Sequence, residues 1–420
     1  MFSKMKSTMV VVLVMLAFIN AVPCVFSQAI SGNLVGTVAD PSGAVVPNAT
    51  VEVTNTGTGI ISSTKTGADG LYRLNNLPVG TYDIAVTAGG FATSGLKNVA
   101  VELNRTATAN VTVQLQGVTQ EVAVTEAPSS IDTTTAQLQS TFEANQIVSM
   151  PIIESAGNFY GALNLSMLSA GVASNGGVGQ GTGPSVGGQR PMNNNFMVEG
   201  VDNNAKDVTG PLVYVPTDAT GEFSILQNNY NSEFGHSTGG QFNVVVKSGT
   251  NAVHGSLYEY FQNRELNAID QKFIRQGITT KPRYDQNRAG ASVGGPIIKN
   301  KWFYFGNFEY APLGQESTVS APVLTPTAAG YALLDAMLAL SATGTTGISK
   351  TNLGVLKQFA PPAPTATDTT LVRGVRVPIG ILATPGGFYT NQYVGVASSD
   401  YNFRDQDRLR AVHKKYHPRK

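Results

Sequence analysis

Cysteine, tryptophan, histidine and charge are all scarce in this sequence. Among 420 residues, Cys24 is the only cysteine and Trp302 the only tryptophan. One thiol supports neither an internal disulfide nor a cysteine-ligated metal site. The four histidines, His236, His254, His413 and His417, never fall in a His-Glu-x-x-His or His-x-x-Glu spacing, which removes the ligand sets of zinc peptidases. Charged residues make up only 13% of the chain, and the six Lys/Arg from Arg408 onward leave 22 basic against 27 acidic residues elsewhere. A weakly acidic body of this kind offers no footprint for nucleic acid. The basic end reads as a disordered tail. No glycine-rich loop ends in Lys-Ser or Lys-Thr, so a phosphate cradle is also missing.

What is present is glycine, at 45 residues, and a hydrophobic share of 42%. That share is too high for a disordered chain, and glycine with β-branched residues favours turns and strands. The N-terminus places Lys4 and Lys6 ahead of the apolar run "MVVVLVMLAFINAV", followed by small residues near Ser27. This order of basic, apolar and small residues predicts a secretory signal peptide over residues 1–27, cut after Ser27. The run is short for a membrane span. Pro23 argues against lipid attachment at Cys24, and cleavage after Ser27 leaves a mature chain without cysteine.

Residues 28–116 alternate apolar and polar positions, as in "TVEVTN" and "TYDIAV". Asp-Pro-Ser-Gly, Asp-Gly and Pro-Val-Gly steps supply the turns, and about seven short strands of this kind make a β-sandwich. The stretch "GTVADPSGAVVPNATVEVTN", followed by "TGADGLYRLNNLPVGTYDIAVTAGGF", resembles the carboxypeptidase regulatory-like domain, a transthyretin-like sandwich. Similar sandwiches bind carbohydrate, so the resemblance implies a glycan as a possible partner.

Composition shifts over residues 117–250. An extended segment "VTQEVAVTEAPSSIDT" precedes a helical pattern in "TFEANQIVSMPI". The glycine-rich "GGVGQGTGPSVGGQR" leads into "GGQRPMNNNFMVEGVDNN", read as two strands joined by a Pro-Asn turn, and the segment closes on "GGQFNVVVKSGT". This order resembles the plug domain of TonB-dependent outer-membrane receptors. The resemblance implies a plug motif at Arg190, Glu199, Gly200 and Val201, with Glu in place of the usual Asp and no Gly after Arg190. It also implies that Glu121, Val122, Ala123, Val124 and Thr125 are the segment that pairs with TonB.

Residues 251–420 change pattern again. In "KWFYFGNFEY", Trp302, Tyr304, Phe308 and Tyr310 fall on one face, while Asn307 and Glu309 share the other with Phe303 and Phe305. An apolar outer and polar inner face, joined by a tight Lys-Asn-Lys turn, is the period of a transmembrane β-barrel; a half-buried hairpin of a soluble sandwich has the same period. A long Pro- and Thr-rich excursion over Ala311 to Gln392 contains one helical pattern, "TPTAAGYALLDAMLAL", with Thr325 read as its N-cap and Pro326 in its first turn. The order of all three segments resembles the Oar-like branch of TonB-dependent transporters. About four barrel strands are legible; "SSDYNFRDQDRLR" reads as a strand, a turn and the start of the next, and the alternation is lost at "AVHKKYHPRK", whereas large outer-membrane transporters have about 22 strands. The sequence therefore predicts a truncated receptor unable to transport alone.

The expected fold is mainly β: an N-terminal β-sandwich, a mixed α/β plug domain, then the first strands of an incomplete transmembrane β-barrel. The expected function is uptake of an unidentified ligand, with a carbohydrate or a peptide as candidates, across the outer membrane of a Gram-negative-type bacterium. The partners implied are a TonB-type energy-coupling protein and outer-membrane lipid, and no cofactor or metal is implied. The competing reading is a secreted or surface binding module that works through its sandwich. Catalysis is disfavoured. Gly183-Pro184-Ser185-Val186-Gly187 fits the nucleophile-elbow spacing but lacks the flanking strand and helix. Asp202, Asn204 and Asp207 lack the glycine and the terminal Glu of a calcium loop.

Overall fold

The computed structural model describes residues 31–115, 123–124, 136–150, 161–173, 183–206, 210–231, 234–235, 237–269, 271, 274, 281, 283–318, 323–341, 347–382, 385–403 and 408–419. The chain is mostly β and divides into two compact units. One comprises residues 1–256, 291–308 and 394–416, and the other comprises 257–290, 309–393 and 417–420.

The first unit begins with a sandwich. One sheet holds β1 (Ser31–Ala39) between β4 (Leu71–Pro78) and β7 (Thr106–Thr108), with β8 (Val111–Thr112) also on β1. The other has the order β3 (Ile61–Lys65), β2 (Thr50–Asn55), β5 (Gly80–Thr87), β6 (Ser94–Val101), β9 (Ala123–Val124). Every second residue of β1 is buried. At Gly36, one of those positions, a β-carbon would fall on the Ala109 carbonyl and crowd the Tyr72 ring, so only glycine lets the strands approach. Between the sheets lies an apolar core that includes Leu34, Val51, Val53, Leu74, Ile84, Val86, Val99 and Val111. The hydroxyls of Tyr72 and Tyr82 donate to Ala109 O and Pro78 O, both at 2.6 Å. Burial pushes the Tyr82 phenol up to about 12.

The middle domain follows, with the sheet order β10 (Leu138–Glu143), β15 (Thr220–Asn228), β16 (Gln241–Val246), β13 (Asn195–Val198), β14 (Val201–Asp202). A separate ladder joins β11 (Val172–Ala173) to β12 (Ser185–Val186). Phe142, Phe223, Phe242 and Phe196 stack across the main sheet at centroid separations of 5.8, 6.3 and 4.9 Å. This stack explains a departure from the sequence reading. The helix expected across "TFEANQIVSMPI" is confined to α1 (Ala144–Ser149), because Phe142 lies opposite Phe223 in the β10–β15 ladder and tertiary packing overrides the local pattern.

Five long strands form a further sheet, in the order β17 (His254–Asn263), β18 (Tyr284–Ile298), β19 (Trp302–Thr318), β23 (Pro385–Asn402), β24 (Arg408–Arg419). The sequence had suggested about four, with the basic end as a tail. β24 corrects both points. From Arg408 to Lys415 its residues alternate between half-buried and exposed, with Arg408, Arg410, Val412 and Lys414 turned inward. The period was hidden because the inward positions are mostly basic, the reverse of a soluble strand. On β19, Phe303, Phe305, Asn307 and Glu309 are buried while Trp302 and Phe308 are exposed, the expected division of faces.

In the second unit, Glu309 accepts from Arg288 at 3.0 Å and from the Tyr258 hydroxyl at 3.2 Å. Its loop segment forms the sheet β20 (Val323–Pro326), β22 (Val375–Leu382), β21 (Asp368–Val372). Two helices, α2 (Ala328–Ser341) and α3 (Lys350–Phe359), accompany it, and Tyr331, Leu334, Met337, Leu353 and Val377 make a small core of their own. Thr325, expected to cap α2, lies in β20 with its hydroxyl donating to Pro361 O at 3.1 Å. Thr327 takes the capping role, accepting from the Gly330 N–H at 3.1 Å. No helix among the described residues is long and apolar enough to cross a membrane.

Candidate functional site

The asparagine row is a set of internal clamps. A single 3-10 turn covers Pro191–Asn193, and the Asn194 amide donates to Pro184 O at 2.8 Å and accepts from the Gly240 N–H at 2.9 Å. Asn204 donates to Asn195 at 2.7 Å, and Asn195 donates to Gln241 at 2.8 Å. Asn203 closes a ring with Val213, donating to its O at 3.0 Å and accepting from its N–H at 3.1 Å. An amide side chain carries both a donor and an acceptor, so it satisfies backbone groups that no strand ladder reaches. Ser185, centre of the elbow-like spacing, spends its hydroxyl on Gln189 O at 2.7 Å.

Glu199 and Gly200 form the turn between β13 and β14, with Val198 paired to Val201. Both central residues have positive φ, 56° and 66°, as a two-residue hairpin turn of type I′ requires. Glutamate is a poor choice there, since a side chain in the left-handed region costs about 1–2 kcal/mol. Its carboxylate explains it. Oε1 accepts from the Val246 N–H at 2.7 Å and from Arg410 Nη2 at 2.8 Å, while Oε2 accepts from Arg410 Nε at 2.9 Å. Arg410 also donates to Val246 O at 2.6 Å and to both Asp400 oxygens at 2.9 and 3.0 Å. Asp400 further accepts from Arg408 Nε at 3.0 Å and from the Ser248 hydroxyl. Two carboxylates and two guanidiniums thus join the middle domain to β23 and β24. Glu199 and Arg410 are both almost wholly buried.

Such a cluster adds little net stability over an apolar contact, yet losing one partner costs about 3–5 kcal/mol by stranding a buried charge. It is therefore stable closed and costly half-open, which is the property of a latch.

A second polar contact joins sandwich to middle domain. The Leu103 N–H donates to Glu222 Oε1 at 2.6 Å, and Gln139 Nε2 donates to Leu103 O at 2.7 Å. Burial pushes the Glu222 carboxyl up to about 8; the Leu103 N–H opposes this, and the Glu102 and Glu143 charges reinforce it. Asn251 donates to Thr58 O and to Asn300 Oδ1, both at 2.6 Å, tying the sandwich to the β18–β19 turn. An open cavity of ≈ 1260 Å³ lies among these elements, bordered by Arg73, Tyr82, Glu143, Glu222, Lys247 and Arg408.

The structure gathers Glu199, Gly200 and Val201 into one turn, whereas Arg190 stands exposed at the mouth of the 3-10 turn. Sequence reasoning missed Arg410 and Asp400; the only signal for them was the alternating Arg-x-Arg at the start of the basic end. Of the extended segment, Ala123 and Val124 form β9, while Glu121, Val122 and Thr125 lie outside the described residues, as does Ser27.

Residues 245–415 match the family described as outer membrane beta barrel domain, and residues 33–114 match the carboxypeptidase regulatory-like domain. The chain is 28% identical over 283 residues to the TonB-dependent transporter Oar of Myxococcus xanthus, covering 66% of this chain and 26% of that relative. By homology, this chain is similar to TonB-dependent transporters. It spans about a quarter of the relative's length, and its barrel domain implies the outer membrane. Among solved structures it is similar to the outer membrane transporter YddB from Escherichia coli, with TM-score 0.41, 11% identity and coverage of 67% of this chain and 33% of that one. The siderophore receptor PirA from Pseudomonas aeruginosa gives TM-score 0.31 and 12% identity over 66% of this chain and 36% of that one. Neither structural likeness is close enough to carry an argument.

Proposed function

We propose that the chain acts as a TonB-dependent outer-membrane receptor for a carbohydrate or peptide ligand. In this reading residues 1–27 are a signal peptide cut after Ser27, 28–116 the sandwich, 117–250 a plug, and 251–420 the start of the barrel wall. A TonB-type energy-coupling protein grips Glu121 to Thr125 and pulls, which shifts the plug. The observation that carries the reading is the Glu199–Arg410 pair, bidentate and buried between the turn at Glu199 and β24. A stopper has to be held firmly and still be released. A directional ion pair meets both needs, since water admitted to it solvates each charge as it separates.

The test begins with the full chain expressed with its own leader in a Gram-negative host. The chain is expected in the outer-membrane fraction, to need detergent for extraction, and to be retained by an immobilised periplasmic TonB domain. Val122→Pro is expected to weaken retention by about tenfold, because proline removes a donor from a strand-pairing segment. Recovery in the soluble fraction without detergent would replace this reading with the secreted binding module.

A further inference from the structure

The segment read as the TonB contact has its central residues in the sandwich. β9 lies parallel to β6, with Gly95 opposite Ala123 and Leu96 opposite Val124. It is the outermost strand of the sheet β3-β2-β5-β6-β9 and covers what would otherwise be the open edge of β6. Such an edge is a ready template for an extended chain, and adding a strand to it is a recurring mode of peptide capture.

The edge is also short. Between Leu96 and Val99 the β5–β6 register shifts, with Asn98 in the left-handed region at φ 61°. The Asn98 N–H turns to the Asp83 carboxylate at 3.1 Å, and Lys97 and Asn98 are exposed. A bulge and an exposed lysine are devices that stop a strand from pairing further. Among the described residues, Gly95 and Leu96 are the pair that meets β9, in a parallel arrangement that is the weaker of the two ladder types, and the bulge closes the edge just beyond Leu96.

We infer that the sandwich edge at Gly95–Leu96 stores the Ala123–Val124 strand and competes with the energy-coupling protein for it, so that engagement is an exchange of one strand partner for another. This rests on the proposed reading of Glu121 to Thr125 as the TonB-contact segment. The bulge limits the storage: it stops the ladder from extending past Leu96, so a partner strand that pairs over a longer run displaces the segment.

The experiment places one cysteine on each strand, Leu96→Cys with Val124→Cys, in the full detergent-solubilised chain carrying Cys24→Ser. Directly opposed strand residues lie within disulfide range. Mild oxidation is expected to form the cross-link. Retention by an immobilised periplasmic TonB domain is expected to fall by about tenfold or more in the oxidised protein and to return on reduction. Failure to cross-link overturns the storage inference and leaves the TonB reading standing, provided the reduced protein is still retained. A cross-linked chain retained as well as the reduced one shows that TonB binds elsewhere, and overturns both. Loss of retention even when reduced, in the chain without cysteine substitutions as well, overturns the TonB reading itself. Hydrogen exchange of unsubstituted chain guards against misfolding of the double variant: peptides covering 94–97 are expected to exchange faster once the TonB domain is added, and an unchanged rate overturns the exchange of partners.

Discussion

The sandwich and the middle domain each set strands around a buried apolar centre, yet the middle domain buries many more polar side chains with it. Between the sandwich sheets lie valines, leucines, an isoleucine and two tyrosines whose hydroxyls find carbonyls. Within the middle domain, β15 and β16 bury Thr220, Glu222, Ser224, Gln241 and Asn243 beside their phenylalanines, and Asn194, Asn195, Glu199 and Asn203 are buried close by. Apolar burial is non-directional and tolerates small displacements. Buried hydrogen bonds and ion pairs tolerate them poorly, because a broken partner leaves an unsatisfied group in a low dielectric. The first is the interior of a fixed module. The second is that of a domain with few discrete arrangements.

The sharpest way to break this comparison is at Arg410. Arg410→Ala leaves Glu199 buried in a left-handed conformation and Asp400 with one guanidinium fewer. The expected cost is about 3–5 kcal/mol, felt locally, and faster hydrogen exchange at the Val246 amide would report it in the detergent-solubilised chain. Arg410→Lys is expected to recover little, since an ammonium cannot reproduce the bidentate fork. If Arg410→Ala leaves that exchange unchanged, the cluster is not a latch.

The sandwich is expected to answer differently. Leu34→Ala removes a fully buried side chain from an apolar core and is expected to cost about 2–5 kcal/mol, depending on how far the cavity collapses. Urea denaturation of residues 28–116 expressed alone measures it. The loss is expected to be the same from pH 5 to pH 8, since the core at Leu34 contains no titrating group that changes charge in that range. A strongly pH-dependent loss would show that the sandwich interior is not the fixed module described above.

These two regions were not equally legible in sequence. Sandwich strands such as "TVEVTN" follow a period of two with a clear apolar face, and turn residues mark their ends, so local chemistry and tertiary fold agree. Of β24 only the start was legible, for the opposite reason. Its inward side chains are Arg408, Arg410 and Lys414, charges that read as solvated unless their partners are known, and those partners, Glu199 and Asp400, are separated from Arg410 by 211 and 10 residues. The Glu199–Gly200 turn could be noticed as a motif, but nothing local told that the glutamate faced an arginine. The short helix α1 was overestimated because the stacking of Phe142 on Phe223 is a long-range contact.

Glu222 sharpens the comparison through pH. Its carboxyl is pushed up to about 8 from an ordinary value of 4.5 by burial. A group with a raised folded value binds its proton more tightly in the native state. Its contribution is therefore full below about 4.5 and is lost as pH rises through about 8. The native chain is expected to lose on the order of 4 kcal/mol across that window. Glu222→Gln, which keeps an acceptor for the Leu103 N–H, is expected to flatten the dependence. Urea midpoints at pH 5 and pH 8.5 measure the difference, and equal slopes for both proteins would remove Glu222 as the cause.

The smallest expected effect comes from Glu102, which belongs to the sandwich but acts on the middle domain. Its carboxylate pairs with Arg105 at 2.5 Å, with both side chains about a quarter exposed. A pair this exposed contributes under about 1 kcal/mol, so Glu102→Gln is expected to leave the urea midpoint of residues 28–116 nearly unchanged. In the full chain the same substitution has a second consequence. Glu102 repels the Glu222 carboxylate while Arg105 attracts it. Removing the repulsion and releasing Arg105 from its partner both favour ionised Glu222, so the pH at which stability is lost is expected to move down from about 8 toward 4.5. Burial is the larger cause and is untouched, so the move is partial. A pH profile of the full-chain variant decides it: an unshifted profile means that the two regions are electrostatically independent, and a downward shift means that the apolar module sets the charge state of the polar one.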